Sequence, residues 1–148
     1  DHVGYSLKQE LAEELRALGY RVLDFGAFST VAVDYPDIAR EVATAIASGE
    51  YDRGILICGT GAGMTITANK VRGIRATACS EPYSAKMTRA HNNANIIGIG
   101  SRVVGLGLAL EIAVAFIETQ FESCSRHERR VEKIMALEAR GEEIRASD

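Results

Sequence analysis

Two five-residue stretches, Gly54-Ile55-Leu56-Ile57-Cys58 and Ile96-Ile97-Gly98-Ile99-Gly100, carry no polar side chain and do not alternate. A strand with one face in water alternates, so a continuous apolar run predicts a strand covered on both faces, as in a parallel sheet flanked by helices. The segments between them read as helices. Leu7, Leu11, Leu15 and Leu18 form a stripe at helical spacing, closed by Gly19. Asp34-Tyr35-Pro36-Asp37 offers a cap and an early proline for a helix through Ile38, Val42 and Ile46, ending at Ser48-Gly49. Further strands are predicted at Tyr20 to Phe25 and Ile74 to Cys79. Helices are predicted at Ile66 to Ala68, from Pro82 through Met87, from about Leu106 to Phe121, and from Arg126 to about Arg145. The result is an α/β chain with a doubly wound parallel sheet. Because such sheets begin with a central strand and this sequence opens on a helix, a further strand is expected before Asp1. The last helix is highly charged, with a sparse stripe of Val131, Ile134, Leu137 and Ile144. So narrow a stripe suits packing on a neighbouring subunit.

At 148 residues, 47% of them hydrophobic, the chain is expected to form one domain spanning 1–148 and too apolar for disorder. Its net charge of −3 gives no general attraction to nucleic acid or to anionic membrane, and no apolar run is long enough to span a bilayer. No secretory leader is visible. The three cysteines, Cys58, Cys79 and Cys124, lack the spacing of a zinc site, so a reduced, cytoplasmic setting is expected.

Ligands of doubly wound sheets bind at the carboxyl ends of the strands. The richest such end is Cys58-Gly59-Thr60-Gly61-Ala62-Gly63-Met64. A cysteine facing a helix start gains from the dipole, which favours thiolate, and the glycines let backbone N–H groups approach an anion. The loop lacks the Lys-Ser/Thr of a P-loop, the third glycine of a dinucleotide loop, and the arginine of a cysteine phosphatase. A buried, inert cysteine on a glycine turn fits the same residues. Arg89-Ala90-His91-Asn92-Asn93-Ala94-Asn95 supplies an imidazole suited to acid–base work, or simply a capping histidine. Arg126 and Arg130, four apart, can clamp a phosphate or line a solvated face. Asp34-Tyr35 is equally a helix cap.

Together these segments, with Asp1-His2-Val3-Gly4, Ala68-Asn69-Lys70, Gly73-Ile74-Arg75-Ala76 and Gly100-Ser101-Arg102-Val103-Val104-Gly105, resemble the family of type B ribose-5-phosphate isomerases and galactose-6-phosphate isomerases. The resemblance covers nearly the whole chain. It implies a five-stranded Rossmann-like sheet, a homodimer or dimer of dimers with sites shared between subunits, and aldose–ketose isomerisation of a sugar phosphate without metal or organic cofactor. Cys58 would be the base between C1 and C2, and His91, with Thr60, would open the sugar ring. Backbone N–H groups from Gly59 through Gly61, Ala62 and Gly63 would hold the enediolate. His2, Arg102, Arg126 and Arg130 would bind phosphate and hydroxyls, the last two reaching in from the partner on the helix at 126–145. Asp1, Tyr35 and Asn92 would line the sugar. One family branch uses a glutamate in the glycine loop instead, and Cys58 places this chain with the cysteine branch. Cys79 and Cys124 match no role. Two departures stand out: Glu122-Ser123-Cys124-Ser125 is one residue longer than the usual glycine pair, and Asn93 replaces a common aspartate. Ribose 5-phosphate is the expected substrate. Galactose 6-phosphate, allose 6-phosphate or a tetrulose phosphate are alternatives, as is a non-catalytic sugar-phosphate binding module.

Overall fold

The computed structural model describes residues 1–123 and 125–146, with side chains up to 138. Cys124 and the side chains of Ile144 and Arg145 therefore lie outside the described residues. In chain order the elements are α1 (Tyr5–Ala17), α2 (Tyr35–Ala47), β1 (Gly54–Cys58), α3 (Ala62–Ala68), β2 (Ala76–Ala78), α4 (Pro82–Asn92), β3 (Ile96–Gly100), α5 (Leu106–Glu118) and α6 (Arg126–Ala146). The strands form a parallel sheet in the order β1-β3-β2, with Gly54 opposite Ile96 and Cys58 opposite Gly100.

Both faces of the sheet are covered, as the unbroken apolar runs require. Ile57, Ile97 and Ile99 pack with Leu11 and Leu15 of α1 and with Ile112 and Phe116 of α5. On the opposite face Leu56, Cys58 and Ile96 pack with Ala39 and Ala43 of α2 and with Met64 and Ala68 of α3. Successive strand residues point to opposite faces, so Cys58 faces the α2–α3 layer. The α3–sheet contact is close because two glycines permit it. A Cβ on Gly98 would collide with the Thr65 hydroxyl and come within 2.5 Å of the Gly61 carbonyl oxygen. Thr65 Oγ1 already donates to that carbonyl at 2.7 Å.

Five sequence expectations change. Tyr20–Phe25 is not a strand. An apolar slot of about 590 Å³, lined in part by Leu15, Val22, Val42, Ile46 and Leu56, lies between it and the free edge of β1, leaving no ladder within reach. The described sheet consequently has three strands. The strand expected over 74–79 shortens to β2, because Ile74 is drawn into a turn onto the Val71 carbonyl, although Cys79 N–H still bonds Gly98 O at 2.9 Å. Helix α4 runs to Asn92, so Arg89, His91 and Asn92 stand on its last turn rather than in a loop, and α5 ends at Glu118. Leu18, expected on the buried stripe of α1, is 58% exposed. Among the described residues no helix is long and apolar enough to cross a membrane.

Gly98→Ala tests the packing of α3 on the sheet. Overpacking against backbone should cost about 1–3 kcal/mol in urea unfolding, whereas a change within about 0.5 kcal/mol would show that the contact relaxes freely.

Candidate active site

The residues singled out by the sequence fall into two groups, one at each end of the sheet. At the carboxyl end, β1 stops at Cys58 and the chain turns through Gly59 and Thr60 to Gly61, whose φ of 78° lies in the left-handed region that glycine tolerates. The Gly61 N–H donates to Cys58 Sγ at 3.1 Å. Cys58 is 6% exposed, beneath the exposed Thr60. Thr60 Oγ1 accepts from the Ala62 N–H at 3.3 Å.

Neighbouring segments close around this turn. The N–H groups of Ser101 and Arg102 donate to the carbonyls of Cys58 and Gly59 at 2.8 and 3.1 Å. The stem of Arg102 then lies over Gly59, its Cδ 3.8 Å from where a Cβ would stand. The Tyr35 ring rests on Gly63, within 3.0 Å of the corresponding point, so only glycine leaves room for it. The Asp1 nitrogen donates to Ile57 O at 2.6 Å, and its carboxylate accepts from Gly4 N–H at 2.9 Å. Asp1 is thus tied into its own turn and 7% exposed. His2 Nδ1 accepts from Val33 N–H at 3.3 Å, which leaves Nε2 as its second polar atom. The carboxyl end therefore gathers a thiol, a loop of backbone N–H groups, an imidazole, a phenol and an exposed guanidinium.

The amino end holds the rest. His91, on the last turn of α4, stacks on His127 of α6 with ring centroids 4.1 Å apart and planes 4° from parallel. Glu122 faces both, with Oε1 3.9 Å from His91 Nε2 and Oε2 3.8 Å from His127 Nε2. Its backbone N–H donates to Ala90 O at 2.9 Å, so the chain at Glu122 docks directly on α4. Burial, with the charge fields of His91 and Arg126, holds His127 below the usual imidazole range. Arg126 and Arg130 flank it on the exposed side of α6. Asn92 is exposed at the same end. Asn93 adopts φ 50° to close α4 and accepts from the Arg89 guanidinium, so it supports Arg89 rather than His91. Arg89, 7% exposed, is pushed down to about 10, first by burial and then by Arg53 and Arg75. Glu122 and His127 were not singled out as partners of His91, because only the docking of α6 on α4 brings them together.

Because β3 runs parallel to β1, the end of α4 that feeds it lies at the opposite edge from Cys58. The length of β3 between Ile96 and Gly100, about 13 Å, separates the two groups within one protomer. Within a single chain Cys58 and His91 therefore stand in different places, at opposite edges of the sheet. The other described thiol, Cys79, is buried, and burial with Glu81 nearby raises it to about 11. At pH 8 roughly one Cys79 in a thousand is thiolate. Peptide mapping after iodoacetamide at that pH should find Cys58 modified well before Cys79; equal rates would contradict the contrast between the two sites.

Comparison with known proteins gives the family and the fold. The family model described as Ribose/Galactose Isomerase matches residues 1–134. Ribose-5-phosphate isomerase B of Escherichia coli is 53% identical over 140 residues, 95% of this chain and 93% of that protein. D-erythrulose-4-phosphate isomerase of Pectobacterium atrosepticum is 45% identical, covering 82% of this chain and 81% of its own length. The solved structure of Clostridium thermocellum ribose-5-phosphate isomerase B superposes with a TM-score of 0.91 at 52% identity, over 95% of this chain and 94% of that one. A match over most of the chain, in sequence and in fold, makes this protein a member of the ribose/galactose isomerase family.

Proposed function

We propose that the protein interconverts D-ribose 5-phosphate and D-ribulose 5-phosphate by proton transfer through an enediolate. The observation that carries this is the Gly61 N–H directed at the Cys58 sulfur where β1 meets the glycine loop. A C–H beside a carbonyl is a weak acid, so its removal needs a placed base and donors for the oxyanion. Cys58 takes the proton from C2 of the open-chain aldose as thiolate. The C–H electron pair moves into the C1–C2 bond, the carbonyl pair goes to O1, and backbone N–H groups from Gly59 to Gly63 receive that charge. The thiol returns its proton to C1 while the O2–H proton passes to O1, so that O1 becomes the hydroxyl of the ketose and O2 its carbonyl.

Ring opening and phosphate binding call for the residues at the other end of the sheet. In this reading a second copy of the chain supplies them. The partner subunit's His91 protonates the ring oxygen beside Thr60, and the partner's Arg126 and Arg130 join His2 and Arg102 on the phosphate. A two-fold pairing makes two equivalent sites at once, because every protomer carries both halves. Two features of the chain support this: all the polar groups assigned to sugar and phosphate lie at one end or the other, and α6 leaves Ile134 and Leu137 exposed. Tyr35, Asn92 and Asp1 line the sugar, Asp1 mainly by holding the Gly4 turn. The 45% identical relative named for D-erythrulose 4-phosphate favours a four-carbon tetrulose phosphate as the second reading.

Purified protein should therefore show a higher kcat/KM for ribose 5-phosphate than for four- or six-carbon aldose phosphates. Cys58→Ser should lower kcat by about 10³-fold or more with little change in KM. A preference for the four-carbon sugar would move the assignment to the second reading. Full turnover by Cys58→Ser would remove the base.

A further inference from the structure

We propose that His91, Glu122 and His127 form a binding site for a divalent transition-metal ion of the zinc class, and that filling it blocks turnover. Their donor atoms all lie within 4.8 Å of one another. At 3.9 and 3.8 Å, the carboxylate is too far from either Nε2 for a hydrogen bond, so three ligand groups face one another with no bond made between them. Two imidazoles and one carboxylate, with a fourth position left open, are a donor set that zinc uses, and imidazole also suits nickel and copper. Tetrahedral coordination with bonds of about 2.0–2.2 Å needs donors about 3.3–3.5 Å apart. The cluster must contract by about 1 Å, and one ring must tilt out of the stack so that both lone pairs converge.

The structure indicates which groups would move. The His127 side chain is 10% exposed and fixed at the start of α6, where its backbone N–H donates to Ser125 Oγ at 3.0 Å. Glu122 and His91 are 54% and 35% exposed at the side chain, so the contraction falls to them rather than to His127. The backbone of Glu122 is already set by its bond to Ala90 O, and Ser125 Oγ donates to the Glu122 carbonyl at 2.6 Å. Arg126 and Arg130 oppose a cation here, which points to micromolar rather than tighter binding. A metal on His91 Nε2 takes the lone pair that acid–base work at the sugar ring requires. The inhibitory half of the proposal therefore rests on the role given to His91 above, whereas the binding half does not.

Co2+ added to the full-length protein reads binding without reference to activity, through the visible d–d bands of a tetrahedral site. One equivalent should bind at micromolar concentration and be displaced by Zn2+. Glu122→Gln and His127→Ala should each weaken uptake by about ten-fold or more. The same Zn2+ should suppress sugar-phosphate turnover and EDTA should restore it, and whatever turnover Glu122→Gln shows should resist Zn2+. No uptake, uptake unchanged in both variants, or a sulfur-to-cobalt charge-transfer band placing the ion on a cysteine would overturn the site. Binding at the cluster with turnover unaffected would leave the metal site standing, and would overturn both the inhibition and the part assigned to His91.

Discussion

The parallel pairing of β1 with β3 governs everything else in this molecule. Parallel strands need a crossover, so each strand's helix must carry the chain back to the amino edge of the sheet before the next strand begins. Cys58 ends β1 at one edge, opposite Gly100, whereas His91, on the last turn of α4, lies at the other, five residues before Ile96. No side-chain rotation bridges that separation. In the proposed reaction a monomer of this fold would hold the base at one pole and the ring-opening acid at the other, and association would be part of the chemistry.

The carboxyl pole is built by close backbone approach rather than by large side chains. Gly61 and Gly98 let α3 sit against β3, and Gly63 makes room for the Tyr35 ring. The bonds from Ser101 and Arg102 to the Cys58 and Gly59 carbonyls tie the loop after β3 to the loop after β1. Donors are thereby fixed before any substrate arrives, as stabilising a developing oxyanion requires. The amino pole is made differently, from a helix end, a docked loop and the start of α6, held by the stack of His91 on His127.

Much of this was legible in the sequence, for identifiable reasons. The unbroken apolar runs gave β1 and β3, since burial on both faces leaves no polar residue to place. The glycine loop, its cysteine and their position at a strand end could be read together, because they are contiguous. Tyr20–Phe25 misled because its composition suits a strand, while strand formation depends on a neighbour within hydrogen-bonding distance. The extent of α4 was underestimated because Arg89 to Asn92 look like loop residues until Asn93 closes the helix in the left-handed conformation. That His91 lies away from Cys58 follows from strand order alone, once the sheet is known to be parallel. The meeting of Glu122 and His127 with His91 depends on tertiary docking of α6 and leaves no periodic trace.

Mixing two inactive variants tests the shared-site account most directly. If Cys58 and His91 act across a subunit boundary, combining Cys58→Ala and His91→Ala proteins and allowing subunits to exchange yields hybrids with one wholly intact site and one doubly defective site. With random pairing into dimers, activity should rise from near zero to about a quarter of wild type. If the mixture stays as inactive as its components after exchange is demonstrated by mass, each site draws both residues from one chain and the account fails.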